Sequence, residues 1–174
     1  MRYTNLGKSN LKVSRICLGT MHFGNRTPEE EAVKIMDRAL DMGYTVGWDG
    51  DVSEASFSSR KGVALLPVTG KSGLSPAGRE DFLSAPVPEI TVDQAVRQDL
   101  FDNYSTTDDH LMHIVGLARD QEGSRFYLTK NSGGLDRMNG GYMYMSQAFV
   151  RLKTTAIMVN KAAIPADIAG RLSW

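Results

Sequence analysis

The groups in this chain best suited to proton transfer are an imidazole and a carboxamide at the two ends of one segment, Thr106 to Gly134. His110 follows Asp108 and Asp109, and Asn131 precedes Ser132, Gly133 and Gly134. Histidine changes charge near neutral pH. An amide oxygen that accepts from one ring nitrogen fixes the tautomer and leaves the other nitrogen free as a base. That pair is the orienting half of a nucleophile–base–orienter triad. The single cysteine, Cys17, excludes an internal disulfide and a Cys-based zinc cluster. Its setting, Ile16-Cys17-Leu18, suits a small buried hydrophobe in a strand better than a reactive thiolate. Asp108, Asp109, His110 and His113 are also metal-ligand types. Residues i and i+3 of a strand project to opposite faces, however, so the two histidines would not converge and no metal or cofactor is expected.

The elements that must bring the pair together are two runs of strand character. His110 to Ala118 form the first, Arg125 to Thr129 begin the second, and Asp120 to Ser124 supply turn chemistry with Gly123 for a positive φ. An antiparallel hairpin is the simplest reading. If Arg119 faces Ser124, Asn131 falls opposite Met112, and His110 lies on the same face one diagonal step away. A slip of one residue sets Asn131 against His113 instead. The plainer alternatives are that the histidines are polar residues on a half-buried strand and that Asn131 serves the turn beside its glycines.

TTDDHLMHIVGLARDQ followed by YLTKNSGG resembles the C-terminal part of papain-like cysteine peptidases of the bleomycin hydrolase or aminopeptidase C branch. The resemblance implies that His110 is the catalytic base and that Asn131 orients it; it gives His113 no role. It continues through Tyr142 to Ser146 and RLKTTAIMVNKAAIPADIA, and reaches back to GYTVGWDGDVSE and SRKGVALLP, so it spans about Gly43 to Leu172. Gly133 stands where that family has a tryptophan, whose ring would shield the His–Asn hydrogen bond. The family's nucleophilic cysteine and glutamine lie in an N-terminal half that nothing here matches. The resemblance therefore implies peptide substrates, aminopeptidase-type acyl transfer and a homo-oligomer, with the isolated chain inactive.

The first residues differ in character. RYTNLGKSNLKVSRICLGTMHFGN reads as a short hairpin turning at Gly7 to Asn10, then a strand ending at Gly19. Continued by TPEEEAVKIMDRALDMG, it resembles the start of an aldo-keto reductase. That family's barrel needs about 200 residues or more of regular βα alternation, which this chain lacks. Two parts are expected: a reductase-like segment over residues 1–26 and a papain-like part over residues 27–174. A helix should begin near Thr27-Pro28 and present Ala32, Ile35, Met36, Ala39 and Leu40 on one face before stopping at Gly43.

Further strands are expected at Tyr44–Trp48, Gly62–Val68, Tyr142–Met145 and Thr154–Val159. Helices are expected at Thr91–Tyr104, capped by Thr91, after Ser146 to Val150, and from Pro165. Gly70-Lys71-Ser72 echoes a phosphate loop but has Leu65 where its first glycine belongs. The fold class is α+β, an antiparallel, partly barrel-like sheet with flanking helices. Twenty basic residues balance twenty acidic ones among 174, which argues against nucleic acid or an anionic membrane as partner. No apolar run reaches membrane-spanning length and no signal-peptide core opens the chain, so a soluble, cytoplasmic protein is expected. A non-catalytic fusion or fragment and a reductase remnant with NADPH affinity are the alternative functions.

Overall fold

A computed structural model of the protein describes residues 3–5, 12–14, 29–68, 86–134 and 138–171. Helix α1 (Glu29–Asp41) carries three glutamates in its first turn and Arg38 in its last, which complements the helix dipole. It buries Ala32, Val33, Ile35, Met36 and Ala39, the face its spacing predicts with Val33 added and Leu40 only partly buried. Gly43 adopts φ +76° and the amides of Gly43 and Tyr44 donate to Leu40 and Ala39, which stops the helix in the left-handed turn that glycine permits.

Strands β1 (Tyr3–Asn5) and β2 (Lys12–Ser14) form an antiparallel pair. A seven-stranded sheet comprises β3 (Val46–Gly50), β4 (Phe57–Ser58), β5 (Val63–Ala64), β6 (His110–Arg119), β7 (Arg125–Lys130), β8 (Tyr142–Ser146) and β9 (Thr154–Met158). Its order is β4-β5-β8-β7-β6-β3-β9. The result is an α+β fold with a curled half-barrel sheet, mixed rather than purely antiparallel, because β5 and β8 run parallel. A long connection separates those two strands, as a parallel pair requires.

Several boundaries differ from expectation. The first strand after α1 starts at Val46 and reaches Gly50. Of Gly62–Val68 only Val63–Ala64 joins the sheet, with Pro67 bridging Glu89. Helix α2 (Gln94–Asp102) is capped by Asp93, not Thr91: the Asp93 carboxylate accepts from the Val96 amide at 2.8 Å, and a negative charge suits a helix N-terminus. Ser146 caps α3 (Gln147–Lys153), which runs beyond Val150 because the Arg97 guanidinium donates to the carbonyls of Arg151, Leu152 and Thr154 at its end. Helix α4 (Ala166–Ala169) follows Pro165. The turn Gly7–Asn10, the strand Ile16–Leu18 with Cys17, the cap Thr27-Pro28, Gly70-Lys71-Ser72 and Leu172 lie outside the described residues.

The core sits between α1, α3 and the sheet, around Trp48, Ile114, Tyr127, Met143, Met145 and Phe149. Two of its aromatic side chains pair their polar atoms. The Trp48 indole N–H donates to Thr154 Oγ1 at 2.7 Å, and the Tyr127 hydroxyl donates to Asp37 on α1 at 2.9 Å. Burial first, and the Asp37 charge second, push the Tyr127 phenol well above its usual range and keep it a donor.

Candidate active site

The hairpin that the site depends on begins at its turn. Asp120 Oδ1 accepts from the amides of Glu122 and Ser124, and Gly123 takes φ +88°. Arg119 faces Arg125, not Ser124, so the pairing at the turn is one residue off the register first expected. Carried along both strands, it would set Asn131 against His113. It is not carried: between Ile114 and Gly116 the register shifts, with Val115 as the extra residue of a bulge. Beyond it Ile114 faces Thr129 and His113 faces Lys130, so Met112 lies level with Asn131.

His110 and Asn131 therefore meet, with Nε2 and Oδ1 2.9 Å apart. The carboxamide is oriented from both sides, and its Nδ2 donates to Met143 Sδ at 3.8 Å. The Ser132 amide donates to Asn131 Oδ1 at 2.7 Å, so that atom is the oxygen. An oxygen accepts only, hence the ring nitrogen facing it carries the proton. The neutral imidazole is the Nε2–H tautomer with its lone pair on Nδ1. Among the described residues no hydrogen bond engages Nδ1. His113 projects to the other face, where Nε2 lies 2.7 Å from Thr45 Oγ1. The described residues hold no cluster of His, Cys, Asp or Glu able to bind a metal.

The pair opens onto a cavity of about 290 Å³ walled by Val52, Phe57, Tyr142 and Met143, with Gly133 and Gly141 at its rim. The cavity is a half-open recess beside the pair, its lining shared between these apolar side chains and Ser59 and Ser132. Gly133 brings no ring over the His–Asn bond, which is only partly buried.

A charge network sets where β6 starts. Lys153 is fully buried at the end of α3; its ammonium contacts Glu54 at 2.8 Å and Asp51 at 3.8 Å and donates to the Ser105 carbonyl at 3.0 Å. Burial alone would raise the Asp51 carboxyl. Donors from Ser53 and Thr107, together with Lys153, overcome it and hold the group below its usual range. Next along the chain, Asp109 Oδ1 accepts from the Val52 amide at 3.0 Å, tying the residue before His110 to the end of β3. Asp49 behaves differently. Burial, then a hydrogen bond and charge from Asp108, raise its carboxyl to about 6.

No known family profile matches the chain. Its fold is that of papain-like peptidases. Among solved structures it is similar to PepW from Lactobacillus rhamnosis HN001, with TM-score 0.56 and 18% identity, covering 81% of this chain and 28% of that one. The bromelain protease from Ananas comosus, solved with the E64 inhibitor, overlaps at TM-score 0.39 and 12% identity, covering 76% of this chain and 46% of that one. In sequence, 43 residues are 60% identical to an uncharacterized oxidoreductase, YrpG, of Bacillus subtilis, a match covering 25% of this chain and 13% of that protein. The chain thus spans about a quarter of PepW and an eighth of YrpG. No described helix is long and apolar enough to cross a membrane.

Sequence reasoning brought the two partners to one rim but missed the parts that aim them. Ser132 gave only a weak signal, as a small donor directly after the asparagine. Lys153, a second basic residue two places after Arg151 at a helix end, gave none.

Proposed function

We propose that the chain carries the proton-handling half of a cysteine-peptidase site, with His110 as base, Asn131 as its orienting residue and the thiol supplied by another polypeptide. What supports the reading most is the 2.9 Å hydrogen bond from His110 Nε2 to an amide oxygen whose orientation Ser132 dictates. It leaves the Nδ1 lone pair unengaged among the described residues, on a ring that lines the recess. In that reaction Nδ1 takes the thiol proton and the thiolate sulfur bonds to a peptide carbonyl carbon. The imidazolium then returns the proton to the departing amine. Water, deprotonated by the same nitrogen, next cleaves the thioester and restores the thiol. Substrates are peptides, with an aminopeptidase preference and a homo-oligomeric assembly following from the resemblance.

The division into residues 1–26 and 27–174 belongs to the same reading. The 43-residue match to YrpG is longer than the 26 residues of that first part and close in length to the whole reductase-like stretch Arg2 to Gly43, and it favours a fusion or fragment as the second reading. The isolated chain is expected to show no peptidase turnover. Mixed with a separately produced thiol-bearing half of a papain-like peptidase, it is expected to hydrolyse an aminoacyl-coumarin, and His110→Ala to abolish that activity. Absence of turnover in the mixture, or turnover that survives His110→Ala, overturns the reading. Turnover by the chain alone that Cys17→Ser removes would make Cys17 the nucleophile instead.

A further inference from the structure

Lys130 closes β7 next to Asn131, with Tyr142 opposite it on β8. Its ammonium sits 5.0 Å from the centre of the Tyr142 ring, within cation–π range. It also donates to two carbonyls on different loops, Gly140 at 2.9 Å and Gly133 at 3.3 Å. One side chain thus joins the loop after Asn131 to the turn before β8. The approach is close enough to exclude a side chain at Gly141. A Cβ there would lie 2.4 Å from Lys130 Nζ and 2.5 Å from the Gly133 carbonyl, and the residue takes φ +81°. The Asn131 amide closes the same junction by donating to Gly141 at 3.1 Å.

We infer that Lys130 is a positioning residue for the His110–Asn131 pair, acting through the loop it clamps. The Gly133 carbonyl it holds belongs to the residue after Ser132, so the clamp fixes the fold-back that aims the Ser132 N–H at Asn131 Oδ1. With that donor in place the amide cannot rotate its NH₂ group toward the ring, and His110 must donate from Nε2. Removing the clamp frees the loop, lets the amide turn over, and allows the Nδ1–H tautomer to compete. The catalytic consequence rests on the proposed role of His110 as base; the clamp itself rests on the contacts alone.

The test is ¹⁵N NMR of the histidine rings in the full chain, which reports the ratio of Nε2–H to Nδ1–H directly, with urea unfolding alongside. Lys130→Met is expected to lower that ratio at His110 at least about threefold, the size of effect expected when one modest hydrogen bond no longer biases the ring. Lys130→Arg, which keeps the cation and a donor, is expected to restore most of it. Ile35→Val, a buried change on α1, is expected to lower stability without moving the ratio. An unchanged ratio in Lys130→Met, or an equal change in Ile35→Val, overturns the inference. Should Lys130→Met fail to fold, Lys130→Gln is read in its place with the same two outcomes. A wild-type ring protonated on Nδ1 would overturn the proposed active-site reading and with it the positioning role, leaving only the contacts of Lys130.

Discussion

Whether His110 can serve as a base turns on which end of an amide faces it, and that is decided one residue further along by the Ser132 N–H. His110 and Asn131 were readable because the peptidase resemblance falls on them; a strand histidine and an asparagine beside glycines have plainer uses on pattern alone. The Ser132 contact was not readable, because it arises from loop backbone that local sequence leaves open. Gly50 is a second residue whose necessity emerges only in three dimensions. It faces His110 across the ladder, and a Cβ there would sit 2.2 Å from the Lys153 carbonyl and 2.4 Å from the Trp48 ring. Neither obstacle is a flexible side-chain tip. Gly50→Ala is therefore expected to cost about 3 kcal/mol through forced displacement of packed backbone and ring, measured by urea unfolding. A loss below about 0.5 kcal/mol, the scale of a neutral surface change, would mean that this corner yields freely.

At the level of elements, α1, the β6–β7 hairpin, β8 and α3 could be read ahead because each announces itself locally, by apolar spacing, turn residues or a capping serine. The α2 cap went to Asp93 over Thr91 because two acceptable caps stood two residues apart and a carboxylate suits the positive helix end better than a neutral hydroxyl. The bulge at Val115 had no local signal, yet it decides which histidine Asn131 meets. Its geometry makes an uncommon prediction about a deletion inside a strand. Ile114 faces Thr129 and Gly116 faces Leu128, which are consecutive on β7, so removing Val115 leaves an unbroken ladder. The β3 side is unaffected, since its pairing with β6 ends at Ile114. Deleting Val115 is expected to leave the chain folded, at a cost of about 1–2 kcal/mol from lost twist and repacking. The Nε2–H tautomer of His110 should persist in NMR spectra. Loss of that tautomer in a folded variant would show that the bulge does more than absorb one residue.

For the molecule as a whole, zero net charge conceals a few buried ionised groups on which the assembly of helices and sheet depends. Lys153 is fully buried and Asp51 1% exposed, so Lys153→Met would strand a carboxylate in the interior. A loss of about 3–5 kcal/mol is expected on urea unfolding. The acidic groups divide into two sets with opposite pH dependence. Asp51, held below its usual range, stabilises the fold above the unfolded carboxylate pKa, and that contribution is lost as pH falls through the folded value. Asp49 is raised from 3.8 to about 6, and burial raises Glu29 and Glu89 as well. The folded state binds those protons more tightly than the unfolded chain does. Their contribution is therefore complete below the unfolded pKa and is lost as pH rises, for Asp49 between 3.8 and about 6. Asp49→Asn keeps the shape of the protonated side chain without its titration. Relative to the variant, the wild type is expected to lose about 1 kcal/mol between pH ~4.5 and pH ~7, after allowance for solvent screening of a partly exposed group. The measurement is the urea midpoint of both proteins across that range. Parallel curves would mean that Asp49 ionises at its ordinary pKa beside Asp108, and that β3 contributes no proton-linked stability next to His110.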